Sequence, residues 1–193
     1  EKYKIAEPKT WDELAAASKK IQAGEGNPNL QGLSIQGAPI EGAVCTFLLP
    51  YWSQGKEFND ASGKLTLDKA AAVKGLNQWL SMVDAGVIKR NVAEVKTPDT
   101  VNEFKAGQVI FAINWGFAWD RFRMDKDSTV QGKVGVMPLP AAGFARSAGG
   151  RKPVHRVGDD AVHAQRREAL RGVGFVHGVH QRALAGTVDV GGE

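Results

Sequence analysis

The stretch 97-TPDTVNEFKAGQVIFAINWGFAWDRF-122 decides the fold, because it predicts a helix, a strand, an aromatic turn and a second helix in quick succession. Thr97 is a good N-cap, and Pro98 suits the first helical position, where its missing N–H is not needed. Gly107 ends the first helix, at a position where a left-handed backbone is favoured. The first half of the stretch therefore predicts a short, well-delimited helix.

The second half of the stretch predicts a buried strand that ends in aromatic residues. Residues 109–113 form an apolar run, rich in β-branched and aromatic side chains, that has the length of a strand. Polar, glycine and aromatic residues follow at once: Asn114, Trp115, Gly116, Phe117 and Trp119. Ligands of open α/β sheets bind beyond the carboxyl ends of the strands. The pattern therefore predicts a binding site rather than a catalytic one.

The rest of the chain up to residue 140 alternates predicted helices and strands, which is typical of an α/β lobe. TWDE at residues 10–13 is a capping box that starts a helix, and Thr66 is the expected cap of a long helix that runs to Asp84. The other predicted elements are a strand near 30–36, a helix over 41–54 that contains Pro50, and a strand over 133–137. Apolar residues expected to be buried in the long helix are Val73, Leu76, Trp79, Leu80 and Val83, while Trp11 and Trp79 are expected to pack in the core.

Composition excludes several classes of function. A chain of 193 residues with 42% hydrophobic content can bury one core and is expected to form one domain or a large lobe. The net charge of +4 is spread along the sequence, so no basic patch indicates a nucleic-acid partner. The lone Cys45 excludes an intrachain disulfide and a multi-thiolate metal site. No apolar run is long enough to cross a bilayer, and the charged first ten residues do not form a signal peptide, as if the chain were cut from a longer one.

Five segments carry a specific resemblance to a known family. In order they are PKTWDEL, YWSQGKEF, LDKAAAVKGLNQWLSMVDAGVI, VNEFKAGQVIFAINWGFAW and KVGVMPLP. Together they resemble the C-terminal lobe of extracellular solute-binding protein family 1, the maltose-binding-protein-like receptors of ABC sugar importers. The resemblance covers roughly residues 8–140, and its most specific part is the helix, strand and aromatic turn quoted above.

The resemblance implies an α/β fold of the periplasmic-binding-protein-like type II class, present as a single, incomplete lobe. It implies a non-catalytic receptor, without a cofactor, that holds a mono- or oligosaccharide between two lobes and delivers it to a membrane permease. A periplasmic or extracytoplasmic location and a monomeric state are expected from the same likeness. The ligand-binding residues that it implies are the sugar-stacking Trp115 and Phe117, their neighbours Asn114 and Gly116, then Glu41, and at lower rank Trp52.

Several of the residues that could bind a ligand or a metal also have a purely structural interpretation. A tryptophan at the end of a buried strand, such as Trp115, often fills a core. Glu41 also suits a solvated carboxylate at a helix start, where it complements the dipole. Asp125 and Asp127 suggest a surface turn, because a calcium loop needs more oxygen ligands.

Residues 141–193 depart from the family pattern and form an atypical C-terminal tail. All four histidines of the chain, at positions 155, 163, 177 and 180, fall there, and arginine largely replaces lysine. A reading-frame change in a GC-rich gene, a degenerate end and a divergent end each account for this shift. His177 and His180 have the spacing of metal ligands, but the glycine between them and the lack of a second shell do not favour a zinc site.

Two other functions stay open. One is an α/β enzyme domain, although residues 1–140 contain no Ser-His-Asp arrangement, nucleophile elbow, phosphate loop or metal cluster. The other is a truncated product with no function of its own, because half of a cleft leaves most of a sugar in water.

Overall fold

Helices pack on a mixed β-sheet in the computed structural model, which describes residues 2–140 and the backbone of residues 173–178. The strands of the described sheet are β1 (Gln31–Ser34), β2 (Val109–Trp115), β3 (Val134–Met137) and β4 (Val173–Gly178), in the order β1-β2-β4-β3. The helices are α1 (Trp11–Glu25), α2 (Glu41–Trp52), α3 (Lys69–Asp84), α4 (Thr97–Lys105) and α5 (Phe117–Met124), with a 3₁₀ turn at Val92–Glu94. Strand β1 runs parallel to β2, whereas β4 is antiparallel to both of its neighbours. The predicted α/β arrangement is confirmed for these residues.

The predicted capping box starts α1. The Thr10 hydroxyl accepts the Glu13 backbone N–H at 3.1 Å, and the Glu13 carboxylate accepts the Lys9 N–H at 2.7 Å. The carboxylate thus reaches one residue further back than a standard box requires. Gly26, with φ of 60°, ends the helix in the left-handed conformation that glycine adopts without strain.

The main core lies between the sheet, α1 and α3, and it includes a pair of tryptophans. Trp11 and Trp79 are buried, and their rings meet edge to face with centroids 4.8 Å apart. The Trp79 indole also donates to the Thr46 carbonyl at 3.0 Å, so its polar atom is satisfied. The prediction that both tryptophans pack in the core is confirmed.

The buried face of α3 differs from the predicted one. Val73, Leu76 and Leu80 are 48%, 47% and 58% exposed, while Ala71 and Gly75 are buried. The cause is the close approach of α2, since a Cβ atom at Gly75 would lie 3.3 Å from the Tyr51 backbone nitrogen. Small residues therefore form the contact with α2, and the larger apolar ones are left outside.

Two helix starts were also predicted at the wrong residue. Asp68, not Thr66, caps α3, because its carboxylate accepts the Ala71 N–H at 3.0 Å. Helix α4 is capped by Lys96, whose N–H donates to the Asp99 carboxylate at 2.8 Å, so Thr97 is the first helical residue. An acidic side chain close to the true start decides both positions.

The end of α4, the proline of α2 and the C-terminal tail were also subjects of prediction. Gly107 after α4 has a left-handed φ of 70°, as predicted. Pro50, which was expected to kink or divide the helix over 41–54, lies in the last turn of α2, and α2 is a single helix to Trp52. The tail beyond residue 140 lies outside the described residues, except that the backbone of β4 joins the sheet.

Candidate functional site

A broad, open depression of about 640 Å³ lies at the carboxyl end of β2. It is bounded by the starts of α2 and α4 and by the turn into α5. The residues that line it are Ile40, Glu41, Gly42, Thr97, Trp115, Gly116 and Phe117. Four of the six residues predicted to bind ligand are therefore brought to one surface, although they come from two distant parts of the sequence.

Trp115 lies against the first turn of α2. A Cβ atom at Gly42 would lie 3.4 Å from the far edge of the Trp115 ring and 2.9 Å from the Gln36 Cβ atom. Only a glycine fits between these two side chains without a shift, since real Cβ atoms essentially never come so close to a neighbour. The half-buried ring of Trp115 thus forms a wall next to Glu41, which begins α2.

Phe117, the first residue of α5, is the exposed ring of the depression. It is 52% exposed, whereas Phe104, Phe111 and Phe122 are at most 1% exposed. Its backbone continues the turn from Gly116, which leaves the ring at the rim instead of in the core. An exposed aromatic ring next to a second, half-buried ring is an apolar surface that a ligand can cover.

Asn114 is placed behind this surface and not on it. Its side chain is fully buried, its Nδ2 donates to the Thr100 hydroxyl at 2.7 Å, and its Oδ1 accepts the Trp115 backbone N–H at 2.9 Å. With no exposed surface, Asn114 cannot touch a ligand in this conformation. It instead holds the backbone of the residue that does line the depression.

Glu41 contributes a charged group to the depression. It is exposed at the start of α2, where Ile40 is the N-cap and makes no side-chain cap bond. A carboxylate at this position complements the helix dipole, and its oxygens remain free to accept hydrogen bonds from a ligand. Burial, and to a lesser extent the charge of Glu41, raises the pKa of the half-buried Cys45 thiol, which keeps it protonated and unsuited to act as a nucleophile.

Trp52 lies away from the depression, at the other end of α2. Its ring packs against Phe58 with centroids 5.9 Å apart, in a small cluster with Tyr51 and α3. Tyr51 is fully buried there: its hydroxyl donates to the Glu57 carbonyl at 2.9 Å and accepts the Asp68 N–H at 3.0 Å. The sequence placed Trp52 near the site only because it shares a helix with Glu41.

Asp125 and Asp127 hold a lysine whose burial the sequence did not indicate. The Lys105 ammonium lies 2.7 Å from the Asp125 carboxylate and 2.5 Å from that of Asp127, and the Lys105 side chain is only 5% exposed. Hydrogen bonds to these carboxylates raise the Lys105 pKa, and Lys105, followed by Arg121, lowers the Asp125 pKa. The ion pairs of Lys105 with Asp125 and Asp127 therefore link the loop after α5 to the end of α4.

The described residues contain no group of three histidine, cysteine, aspartate or glutamate side chains arranged to hold a metal ion. The candidate ligands His177 and His180 are outside the residues whose side chains are described. No helix in residues 2–140 is both long enough and apolar enough to span a membrane.

An aromatic depression at the strand ends is where α/β folds typically bind their ligands. Comparison with known sequences names the family. The chain belongs to the bacterial extracellular solute-binding proteins, whose family profile matches residues 1–158. This is a family of binding proteins and not of enzymes.

Individual relatives are also described as binding proteins, and they show what fraction of such a protein this chain covers. A protein of Deinococcus radiodurans described as an ABC transporter-binding protein is 35% identical over 141 residues, which are 70% of this chain and 33% of the relative. A protein of Sinorhizobium fredii described as an amino-acid ABC transporter periplasmic-binding protein is 29% identical and is covered to 31%. The maltose-bound MalE3 of T. maritima shares 38% identity and a TM-score of 0.65, over 71% of this chain and 34% of that one.

The chain spans about a third of the length of these relatives. Its fold is thus part of one lobe of a type II periplasmic binding protein, as the resemblance implied.

Proposed function

We propose that this chain supplies one wall of a carbohydrate-binding cleft in the receptor of an ABC sugar importer. The observation that carries the proposal is the exposure of Phe117, which lines the depression together with Trp115. The phenylalanines of β2 and α4, and the other phenylalanine of α5, are buried. Trp115 and Phe117 would stack on the apolar faces of a sugar, and Glu41 would accept hydrogen bonds from its hydroxyl groups. Asn114 would act through the backbone of Trp115, and Gly116 would shape the turn between the rings.

The charge of the depression favours a neutral ligand. Glu41 is the only ionisable side chain among the lining residues, and none of them is lysine, arginine or histidine. The ammonium group of an amino acid could pair with Glu41, but its carboxylate would have no cationic partner on this wall, whereas a sugar brings uncharged hydroxyl groups and ether oxygens. A sugar therefore fits this wall better than the amino acid suggested by the name of the Sinorhizobium relative.

In the full-length protein, a second lobe would close on the sugar, and a membrane permease would receive it outside the cytoplasm. Closure buries the ligand from both sides, which one lobe cannot do. We therefore expect this chain alone to bind sugars weakly or not at all.

Isothermal titration of the 193-residue chain and of a full-length version, against mono- and disaccharides that include maltose, tests both parts of the proposal. We expect binding by the full-length protein only. Submillimolar affinity of the short chain would contradict the one-wall proposal, and full-length protein that binds amino acids and no sugar would contradict the ligand class.

A further inference from the structure

One buried hydroxyl group, that of Thr100, makes three hydrogen bonds directly behind the depression. It donates to the Thr97 carbonyl at 2.8 Å and accepts from Gln36 Nε2 at 3.0 Å and from Asn114 Nδ2 at 2.7 Å. Thr100 and Asn114 are 0% exposed and Gln36 is 1% exposed. One donor and two acceptors are all that a hydroxyl offers, so its hydrogen-bonding capacity is fully used.

Each of the three partners leads to a different wall of the depression. Thr97 itself lines it at the start of α4. Asn114 accepts the backbone N–H of Trp115 at 2.9 Å. Gln36 lies under Gly42, where an added Cβ would come within 2.9 Å of the Gln36 Cβ atom.

We propose that Thr100 is a positioning residue that sets the arrangement of these three walls. Its hydroxyl is hydrogen-bonded to the start of α4, to Asn114 near the end of β2, and to Gln36, which packs against Gly42 at the start of α2. Hydrogen bonds in a buried, fully satisfied network are strong and directional, so the walls are held at fixed distances from one another. The inference rests on the proposed function only in the statement that these walls bind a sugar. The hydrogen-bond network itself is a property of the fold.

Gln36 adds a second link that makes the arrangement more rigid. Its Nε2 also donates to the carbonyl of Ile113 at 3.0 Å, next to Asn114 in β2. A single amide thus bridges the hydroxyl of α4 and the backbone of β2. Removing either group leaves buried polar atoms without partners, and the local structure must move to satisfy them.

The test uses fluorine NMR of the 193-residue chain labelled with 5-fluorotryptophan, which reports on its five tryptophans separately. Trp115→Phe assigns the Trp115 signal. Thr100→Val removes the hydroxyl at nearly the same volume, and we expect the Trp115 signal to shift or split while those of Trp11 and Trp79 stay in place. In a separate hydrogen-exchange measurement, we expect the backbone amide hydrogen of Trp115 to exchange with solvent roughly tenfold faster. This is the effect of weakening about one hydrogen bond. Thr100→Ser keeps the hydroxyl and should restore both values.

Thr46→Val is the matched control. Thr46 is 5% exposed, and its hydroxyl has no hydrogen-bond partner among the described residues, so its loss should leave the Trp115 signal unchanged. Should Thr100→Val fail to fold, Gln36→Met carries the same expectation, because it removes the amide and keeps the length of the side chain.

Two results would overturn the proposal. One is an unchanged Trp115 signal and amide exchange rate in a folded Thr100→Val or Gln36→Met variant. The other is an equal shift of all tryptophan signals, which would mean that Thr100 supports the fold as a whole. Failure of the full-length protein to bind any sugar is a separate result: it would overturn the proposed function and leave the fluorine measurement valid.

Discussion

The molecule has pairs of large aromatic rings in two regions that differ in their surroundings. Trp11 and Trp79 lie between helices and sheet and are 1% and 7% exposed. Trp115 and Phe117 lie at the carboxyl end of β2, where one ring is half-buried and the other is 52% exposed. Both pairs consist of large aromatic rings, so residue type alone does not separate them. Position relative to the strand end does, because helices cover the faces of the sheet and leave its carboxyl end open.

The two pairs are also held in different ways. The core pair is fixed by ring contacts and by apolar neighbours such as Leu14 and Ile21. The outer pair is fixed from behind, through the backbone of Trp115 and the buried Asn114. Changes in the first region should therefore affect stability, and changes in the second should affect binding.

The largest effect is expected for Trp79→Ala. Truncation removes a buried ring and its contact with Trp11, so the free energy of unfolding should fall by about 3–5 kcal/mol. Urea denaturation of the chain, followed by circular dichroism, measures this loss. Trp119→Ala, a half-buried tryptophan outside the core, is the matched control and should lose much less. Equal losses in the two variants would break the distinction between the regions.

Trp115→Ala should have the next largest effect, on affinity. In a full-length version of the protein we expect sugar binding to weaken by more than about tenfold, which corresponds to roughly 1.4 kcal/mol of stacking. Titration calorimetry measures the change, and Trp52→Ala, which lies at the other end of α2, should bind as the parent does. An unchanged affinity for Trp115→Ala would remove this ring from the site.

Phe117→Ala sharpens the comparison because stability and binding should separate completely. The ring is already half in solvent, so we expect the free energy of unfolding to change by less than about 0.5 kcal/mol. Sugar affinity of the full-length protein should fall severalfold, as expected for losing about 1 kcal/mol of ring contact. A clear loss of stability with no loss of affinity would show that Phe117 packs like Trp79.

The smallest effect is expected on stability when the pH is lowered. Because Lys105 holds the pKa of Asp125 below its usual value of 3.8, the pair stabilises the fold above that pH, and this contribution is lost as the pH falls through the lower folded value. Lys105→Met should therefore reduce the dependence of the melting temperature on pH below about 4. An unchanged dependence would mean that the pair is not formed in solution. The rings of both regions should be unaffected, which Trp fluorescence can verify.

Local signals allowed much of the fold to be predicted from the sequence. The Thr10 cap, the left-handed Gly107 and the apolar run of β2 each depend on neighbouring residues, and each was predicted close to where it occurs. Glu41, Trp115, Gly116 and Phe117 were brought together by the family resemblance, because no local pattern connects α2 with β2.

The features that were missed depend on contacts between distant parts of the chain. The contact face of α3 is set by how closely α2 approaches Gly75, which helical periodicity does not encode. The burial of Lys105 depends on its ion pair with Asp125. The role of Asn114 in β2 depends on its hydrogen bond to Thr100, which lies in α4. Partners of this kind leave no mark on the residue itself, so composition and spacing cannot reveal them.

The Tyr51 hydroxyl has a practical consequence. By bonding to both the Glu57 carbonyl and the Asp68 N–H, it closes the base of the largely exposed segment that follows α2. Because both ends of this segment are held together from inside, its tip near Gly63 should accept an inserted domain with little effect on the helices. In a full-length protein, a circularly permuted fluorescent domain placed there would sit on the same helix pair as Glu41 and could report ligand-induced movement as a change in brightness.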